Sequence, residues 1–136
     1  MNDKFWLLHA DGASLQNPGP GGAGAIIYDG KGRIAAEISE YLGARVTNNE
    51  AEYQGLLLGL RKLLALGARK VHIRLDSELA VRQIQGIYKV RNARLAVFFK
   101  EVQGALAQLE EYDITHIKRE LNRAADNLAS AAAHRG

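Results

Sequence analysis

The sequence predicts an α/β fold with helices packed on a mixed five-stranded sheet, and three observations carry that reading. Apolar, β-compatible runs open the chain around an Asp-Gly hairpin signal at Asp29-Gly30. A Thr47-x-x-Glu50 capping signature leads into a Leu-rich segment. Beyond it, strand-like and helical patterns alternate to the end of the chain.

Phe5 to Ala10 is an apolar run ending at Asp11, followed by the Gly/Pro-rich stretch Asn17-Pro18-Gly19-Pro20-Gly21-Gly22. It reads as a buried strand and a turn, with Asp11 at the strand's exit. Ala23 to Tyr28 and Arg33 to Tyr41 are the next two strands, joined across Asp29-Gly30-Lys31-Gly32, so three antiparallel strands come first. The capping box starts a helix near Thr47 that runs to about Leu66 and stops at Gly67. Glu52 falls in its first turns and should reach the sheet's edge, while Gly55 and Gly59 let that helix approach the sheet closely. From Lys70 to Leu75, apolar Val71, Ile73 and Leu75 alternate with polar residues, a fourth strand that ends at Asp76. Asp76 or Ser77 can cap a helix to about Ile84, and a second helical pattern covers Ala93 to Leu109. Tyr112 to Lys118 is the fifth strand, and Asn122 can cap a final Ala-rich helix, Arg123 to Ala133, with Asp126 in its first turn. The order is β-β-β-α-β-α-β-α, with the two helical stretches between the fourth and fifth strands taken together.

The 136 residues, 47% hydrophobic and 24% charged, suit one domain spanning 1–136. No run reaches the roughly 20 apolar residues of a membrane span, and Asp3 stands where a leader segment wants a basic start. A soluble, cytoplasmic monomer without membrane contact is therefore expected. With no cysteine, thiolate metal sites and disulfides are excluded, leaving carboxylate oxygens for a hard cation such as Mg²⁺ or Mn²⁺. The net charge of +3 is too small to identify a polyanionic partner.

Asp11, Glu52, Asp76 and Asp126 lie at strand exits or in early helical turns, so all four can converge at one end of the sheet. Such a cluster would be unfavourable without cations to neutralise it. Two divalent ions about 3.5–4 Å apart could activate a water and stabilise a leaving oxygen in phosphodiester hydrolysis. Carboxylates at these places also serve as caps and turn residues.

The motifs resemble those of the type 1 ribonuclease H family. The matching segments are Asp11-Gly12-Ala13-Ser14, Asn17-Pro18-Gly19-Pro20-Gly21 and Gly24-Ala25, then Thr47-Asn48-Asn49 with Ala51-Glu52-Tyr53, Asp76-Ser77, and Asn122 to Asp126 with Leu128-Ala129. The resemblance implies a ribonuclease H-like fold and an endoribonuclease that cuts the RNA strand of RNA–DNA hybrids, leaving 5′-phosphate and 3′-hydroxyl ends. It implies that Asp11, Glu52, Asp76 and Asp126 hold two Mg²⁺ ions, replaceable by Mn²⁺, with the scissile phosphate between them. Gly12, Asn17, Thr47, Asn48, Asn49, Ser77, Glu78 and Lys89 fall at or beside substrate-binding positions. Short amides there can reach the 2′-hydroxyls of a wide, shallow groove.

The chain departs from the family in three places. Where many members carry a loop His before the last helix, this one has Lys118-Arg119-Glu120-Leu121, making Arg119 and Glu120 the candidates for product release, with His116 inside the strand. A long basic protrusion is replaced by Tyr88-Lys89-Val90-Arg91-Asn92-Ala93-Arg94, whose cations are candidate phosphate contacts. No separate hybrid-binding module is expected, so binding should be weak and salt-sensitive; double-stranded RNA is a further candidate substrate. A proofreading-type exonuclease would need an acid where this chain has Ala13, and a non-catalytic hybrid-binding module would be expected to lack one of the four acids. His9, His72 and His134 read as structural or solvent-facing, and Phe5, Trp6, Phe98 and Phe99 as core.

Overall fold

The computed structural model describes residues 4–136, so Asp3 lies outside the described residues. Among these, β1 (Trp6–Ser14), β2 (Gly19–Tyr28) and β3 (Ile34–Val46) are followed by α1 (Asn48–Ala65), β4 (Lys70–Leu75), α2 (Glu78–Ile84), α3 (Ala93–Leu106), β5 (Glu111–His116) and α4 (Arg123–His134). A short 3₁₀ turn, Arg119–Leu121, precedes α4. The sheet order is β3-β2-β1-β4-β5, antiparallel across β1, β2 and β3 and parallel across β1, β4 and β5. The predicted α/β class and mixed sheet are observed. No helix among the described residues is long and apolar enough to cross a membrane.

The first three strands are longer than their apolar runs, β4 has the expected bounds, and β5 stops at His116 rather than Lys118. Asp11 does not end β1: the strand continues to Ser14 because Asp11, Gly12, Ala13 and Ser14 pair with Gly24, Ala23, Gly22 and Gly21 of β2. Most of the presumed turn stretch is therefore strand. Gly22, and Gly24 just beyond that stretch, serve contact with α4, since a Cβ on Gly22 would lie 2.2 Å from the Ala129 carbonyl oxygen and one on Gly24 2.3 Å from that of Ala125. Only a helix with alanines inward, here Ala125, Ala129, Ala132 and Ala133, can lie that close. The β2–β3 hairpin turns through residues 29–33, where Asp29 Oδ1 accepts from Lys31 N and Arg33 N; the positive φ falls on Gly32, not Gly30.

Helices α1, α2 and α3 pack on the opposite face around Leu8, Ile27, Leu56, Leu60, Val71, Ile73, Val81 and Val102, with Trp6, Phe98 and Phe99 packed against that cluster. The predicted capping box is present: Thr47 Oγ1 accepts from Glu50 N, and Glu50 Oε1 accepts from Thr47 N. α1 settles onto β1 through glycine, as its spacing suggested. A Cβ on Gly55 would sit 2.2 Å from the Asp11 carbonyl oxygen, and one on Gly59 2.7 Å from Leu8 Cδ1.

These packing contacts separate two glycines of similar helical setting. Gly55→Ala is expected to lower stability by about 1–3 kcal/mol through overpacking against β1. Gly104→Ala in α3, whose added Cβ meets nothing within 4 Å, is expected to raise it by about 0.5–1 kcal/mol. Denaturant unfolding of both variants beside the parent protein gives opposite signs if the two environments differ as described.

Candidate functional site

The parallel register of β1 and β4 places two acids side by side. Ala10 is the partner of Leu75, and the next residues on the two strands are Asp11 and Asp76. Asp76 leaves the sheet there, while Asp11 stays paired with β2. Glu52 comes down from α1 onto this central pair, not onto the sheet's edge. One oxygen each from Asp11, Glu52 and Asp76 lie within 4.8 Å of one another. Asp126 reaches within hydrogen-bonding range of Asp11 from α4 on the other face. The four carboxylates line one cavity of about 270 Å³ together with Gly12, Ala13, Ser14, Asn48 and Arg119.

Their proximity changes their acidity. Asp11 is pushed up to about 8, first by burial, then by the charge of Asp76, with Glu52 and Asp126 adding to the effect and the Gly12 N–H opposing it. Glu52 is raised to about 7, again chiefly by burial and secondarily by Asp76, while a hydrogen bond from Ser77 and the charge of Arg119 pull the other way. Arg119 lies over the cavity with its guanidinium 3.6 Å from Asp126 and its side chain 78% exposed, so it screens only a fraction of the acidic charge. Oxygen donors converging at this density, with neither His nor thiolate among them, match a hard divalent cation.

The other predicted residues divide into two groups. Asn17, at φ +41, accepts from Asn48 N through its side-chain oxygen; Asn48 Oδ1 accepts from Ser14 N, and Ser14 Oγ accepts from Asn17 N. This closed ring of short polar groups forms one rim of the cavity. Ser77 caps α2 by accepting from Ala80 N, as predicted, while its hydroxyl serves Glu52. Thr47 is occupied in the capping box, and Asn49 is exposed in the first turn of α1. Glu78 points to Arg82 at 3.7 Å, and Lys89 lies in the exposed α2–α3 connection; neither lines the cavity. Glu120 lines an adjoining hollow of about 360 Å³ with Arg123 and Asn127, whereas Arg119 lines both spaces.

Asn122 corrects its expectation. Its side chain makes no cap hydrogen bond to α4. Only 1% exposed, it donates from Nδ2 to the Ala10 carbonyl and to Asp76 Oδ2, both at 3.0 Å, and its Oδ1 is 3.1 Å from His9 Nδ1. His9 is therefore structural, and Asn122 is the site residue that sequence reasoning missed: its place before a helix suggested a cap and concealed the bond to Asp76. The remaining histidines are also engaged outside the cavity, His72 with Asp113 and stacked on Phe5, and His134 with the Ser130 carbonyl; His116 ends β5.

The reverse transcriptase-like family pattern matches residues 9–132. Ribonuclease HI of Halobacterium salinarum is 35% identical over 132 residues, covering 96% of this chain and 66% of its own length. The chain belongs to the type 1 ribonuclease H family. Within that family, the N-terminal RNase H domain of a Mycobacterium tuberculosis protein superposes with a TM-score of 0.91 at 35% identity, covering 94% of this chain and 98% of that one. LC11-RNase H1, solved in complex with an RNA/DNA hybrid, gives 0.88 at 36% identity, covering 96% and 97%. The chain spans only 35% of the length of the full mycobacterial relatives, which are 36% identical over 127 residues.

The raised proton affinities of Asp11 and Glu52 have a stability consequence whose sign is fixed. The folded state holds protons on Asp11 and Glu52 that the unfolded chain releases near its ordinary carboxylate range, so this contribution is complete below about pH 4 and disappears as pH rises through 7 to 8. In chelator, the melting temperature is expected to fall across that window. Asp11→Asn should flatten the fall and exceed the parent protein at pH 8.5 by at least about 1–2 kcal/mol, the worth of roughly one pKa unit. Thermal unfolding from pH 4.5 to 8.5 measures both.

Proposed function

We propose that the chain is one catalytic domain that hydrolyses the RNA strand of RNA–DNA hybrids with divalent cations, leaving 5′-phosphate and 3′-hydroxyl ends, as a monomer in the cytoplasm. The observation that carries this reading is the meeting of Asp11, Glu52 and Asp76 within 4.8 Å, with Asp126 beside Asp11, in a family with a member solved on a hybrid. Asp11, Glu52, Asp76 and Asp126 would hold the cations, Mg²⁺ first and Mn²⁺ in substitution. Bound there, the pair would supply Lewis acidity toward the scissile phosphate and lower the pKa of the attacking water.

The protein's own groups would do the rest. Asn122 would hold the Asp76 carboxylate in one orientation, and Ser77 would do the same for Glu52. The polar rim of Gly12, Ser14, Asn17 and Asn48 offers short donors and acceptors to a minor groove, where the 2′-hydroxyl distinguishes RNA from DNA. Thr47 and Asn49 extend that edge along α1, with Ser77 and Glu78 on the opposite side and Lys89 reaching a phosphate farther away. Arg119, exposed above the carboxylates, is placed to meet the phosphate as it arrives and leaves, and Glu120 flanks that route. Double-stranded RNA offers the same groove and hydroxyls, so slower cutting of it is part of the proposal.

A hybrid labelled on its RNA strand, incubated with Mg²⁺, should yield internal RNA fragments bearing 5′-phosphates while the DNA strand stays intact. Asp11→Asn should remove that activity, and Asn122→Ala should lower activity or cation affinity by roughly 10- to 100-fold, the usual effect of losing a partner that orients a ligand. Equal cutting by the parent protein and Asp11→Asn, or cutting unaffected by chelator, would end the proposal. A parallel arm with duplex RNA tests the wider substrate range.

A further inference from the structure

Between α2 and α3 the chain runs without regular structure, yet its backbone is tied down almost residue by residue. α2 ends on Gly86 at φ +82, with Gly86 N donating to the Gln83 carbonyl and Ile87 N to that of Arg82, a Schellman closure. Tyr88 N also donates to the Arg82 carbonyl, Val90 packs against the core, and Asn92 Oδ1 caps α3 by accepting from Arg94 N and Leu95 N.

The remaining anchor is Gln83, a polar side chain only 5% exposed. Its Nε2 donates to the Lys89 carbonyl at 3.4 Å, and its Oε1 accepts from the hydroxyl of buried Tyr53 at 2.5 Å. The direction of this relay follows from its end: a backbone carbonyl only accepts, so the amide nitrogen must face Lys89, leaving the oxygen for Tyr53. Tyr53 is the neighbour of Glu52, so the connection is fastened to the helix that supplies one of the clustered acids. A second fastening is the ion pair of Glu50 with Arg94 at 3.2 Å, in which the Glu50 side chain is 8% exposed. Outward, the pattern reverses: Ile87 is 61% exposed and Tyr88 45%, and Lys89 and Arg91 are exposed as well.

We infer that Gln83 and Tyr53 are positioning residues that hold residues 87–91 as a rigid bracket, from which Lys89 and Arg91 take phosphates of the bound duplex. The inference rests on the hybrid-binding reading above. A backbone already fixed loses little freedom when its cations meet phosphates, whereas a loose loop of the same composition would surrender its ordering entropy at contact. Each phosphate neutralised adds roughly 0.9 to the salt slope of binding, which amounts to about threefold in affinity between about 50 and 200 mM salt.

Gln83→Met keeps the length of the side chain but donates nothing to Lys89, and Tyr53→Phe removes only the hydroxyl. KM, kcat and the salt slope of hybrid binding are measured for the parent protein, each single variant, the Lys89→Ala/Arg91→Ala pair, and that pair with Gln83→Met. Gln83→Met should raise KM about three- to tenfold and reduce the slope by about one to two, with kcat at saturation changed less than about twofold. Tyr53→Phe should shift both in the same direction by less. On the Lys89→Ala/Arg91→Ala background, Gln83→Met should change neither quantity further. A lower melting temperature with unchanged KM and slope would overturn the inference, as would full additivity on that background. A parent protein that neither binds nor cuts hybrid would instead overturn the function reading, and it would do so before any variant is compared.

Discussion

Two backbones in direct contact set the terms for everything at the site. Gly12 of β1 and Gly55 of α1 leave the strand and the helix so close that a Cβ on Gly12 would fall 2.1 Å from the Ala51 carbonyl carbon and one on Gly55 2.2 Å from the Asp11 carbonyl oxygen. Side chains normally hold a helix away from a sheet. Here their absence lowers α1 until Glu52, the residue after Ala51, stands level with Asp11 and Asp76. The same device operates on the far face, where Gly22 and Gly24 admit α4 and with it Asp126. The carboxylates converge because both layers are thinned at one end of the sheet.

That convergence opposes itself electrostatically. Burial and mutual repulsion raise the proton affinity of Asp11 and Glu52, so in the absence of counter-charge the hydrophobic core and the helix caps must outweigh the repulsion. The compensation built from protein groups is incomplete: Arg119 is exposed and 3.6 Å from Asp126, and Asn122 and Ser77 contribute neutral hydrogen bonds. A site left acidic by its own scaffold is one that a cation entering from solvent can stabilise, and binding and folding are then linked. Local strain of this kind is where a sequence is expected to depart from what stability alone would select.

The parts of this arrangement legible in the sequence were those with a local cause. Thr47 and Glu50 announce the start of α1 because the capping box is satisfied within four residues, and Gly55 and Gly59 mark the close face because helical spacing alone aligns them. Alternation in Lys70 to Leu75 gave β4 without need of a partner. What could not be read is set by pairing across the chain. β1 continues past Asp11 only because Gly24, Ala23, Gly22 and Gly21 are there to pair with it, and Gly22, which signals a turn locally, is used for helix contact. Asn122 looked like a cap because its sequence neighbours are helical; its hydrogen-bond partners, Ala10 and Asp76, are 112 and 46 residues away. The four acids were readable as a set through their motifs, but their relative depth and the bond between Asn122 and Asp76 exist only in the folded chain.

The start of α1 fixes more than its length. Successive residues in a helix turn by about 100°, so the position of the cap decides which way each side chain faces. With Thr47 as cap, Glu50 meets Arg94 of α3, Ala51 lies on Gly12, Glu52 enters the cavity, Tyr53 meets Gln83 of α2, and Gly55 rests on the Asp11 carbonyl. Nearly every direction around the helix is therefore committed within its first two turns. A one-residue shift of α1 in its register against β1 would carry Glu52 roughly a quarter turn from Asp11 and Asp76 and drive a side chain into the contact that only glycine tolerates. The reciprocal hydrogen bonds of Thr47 and Glu50 thus support, from the helix end, the register that the Gly12 and Gly55 contacts set.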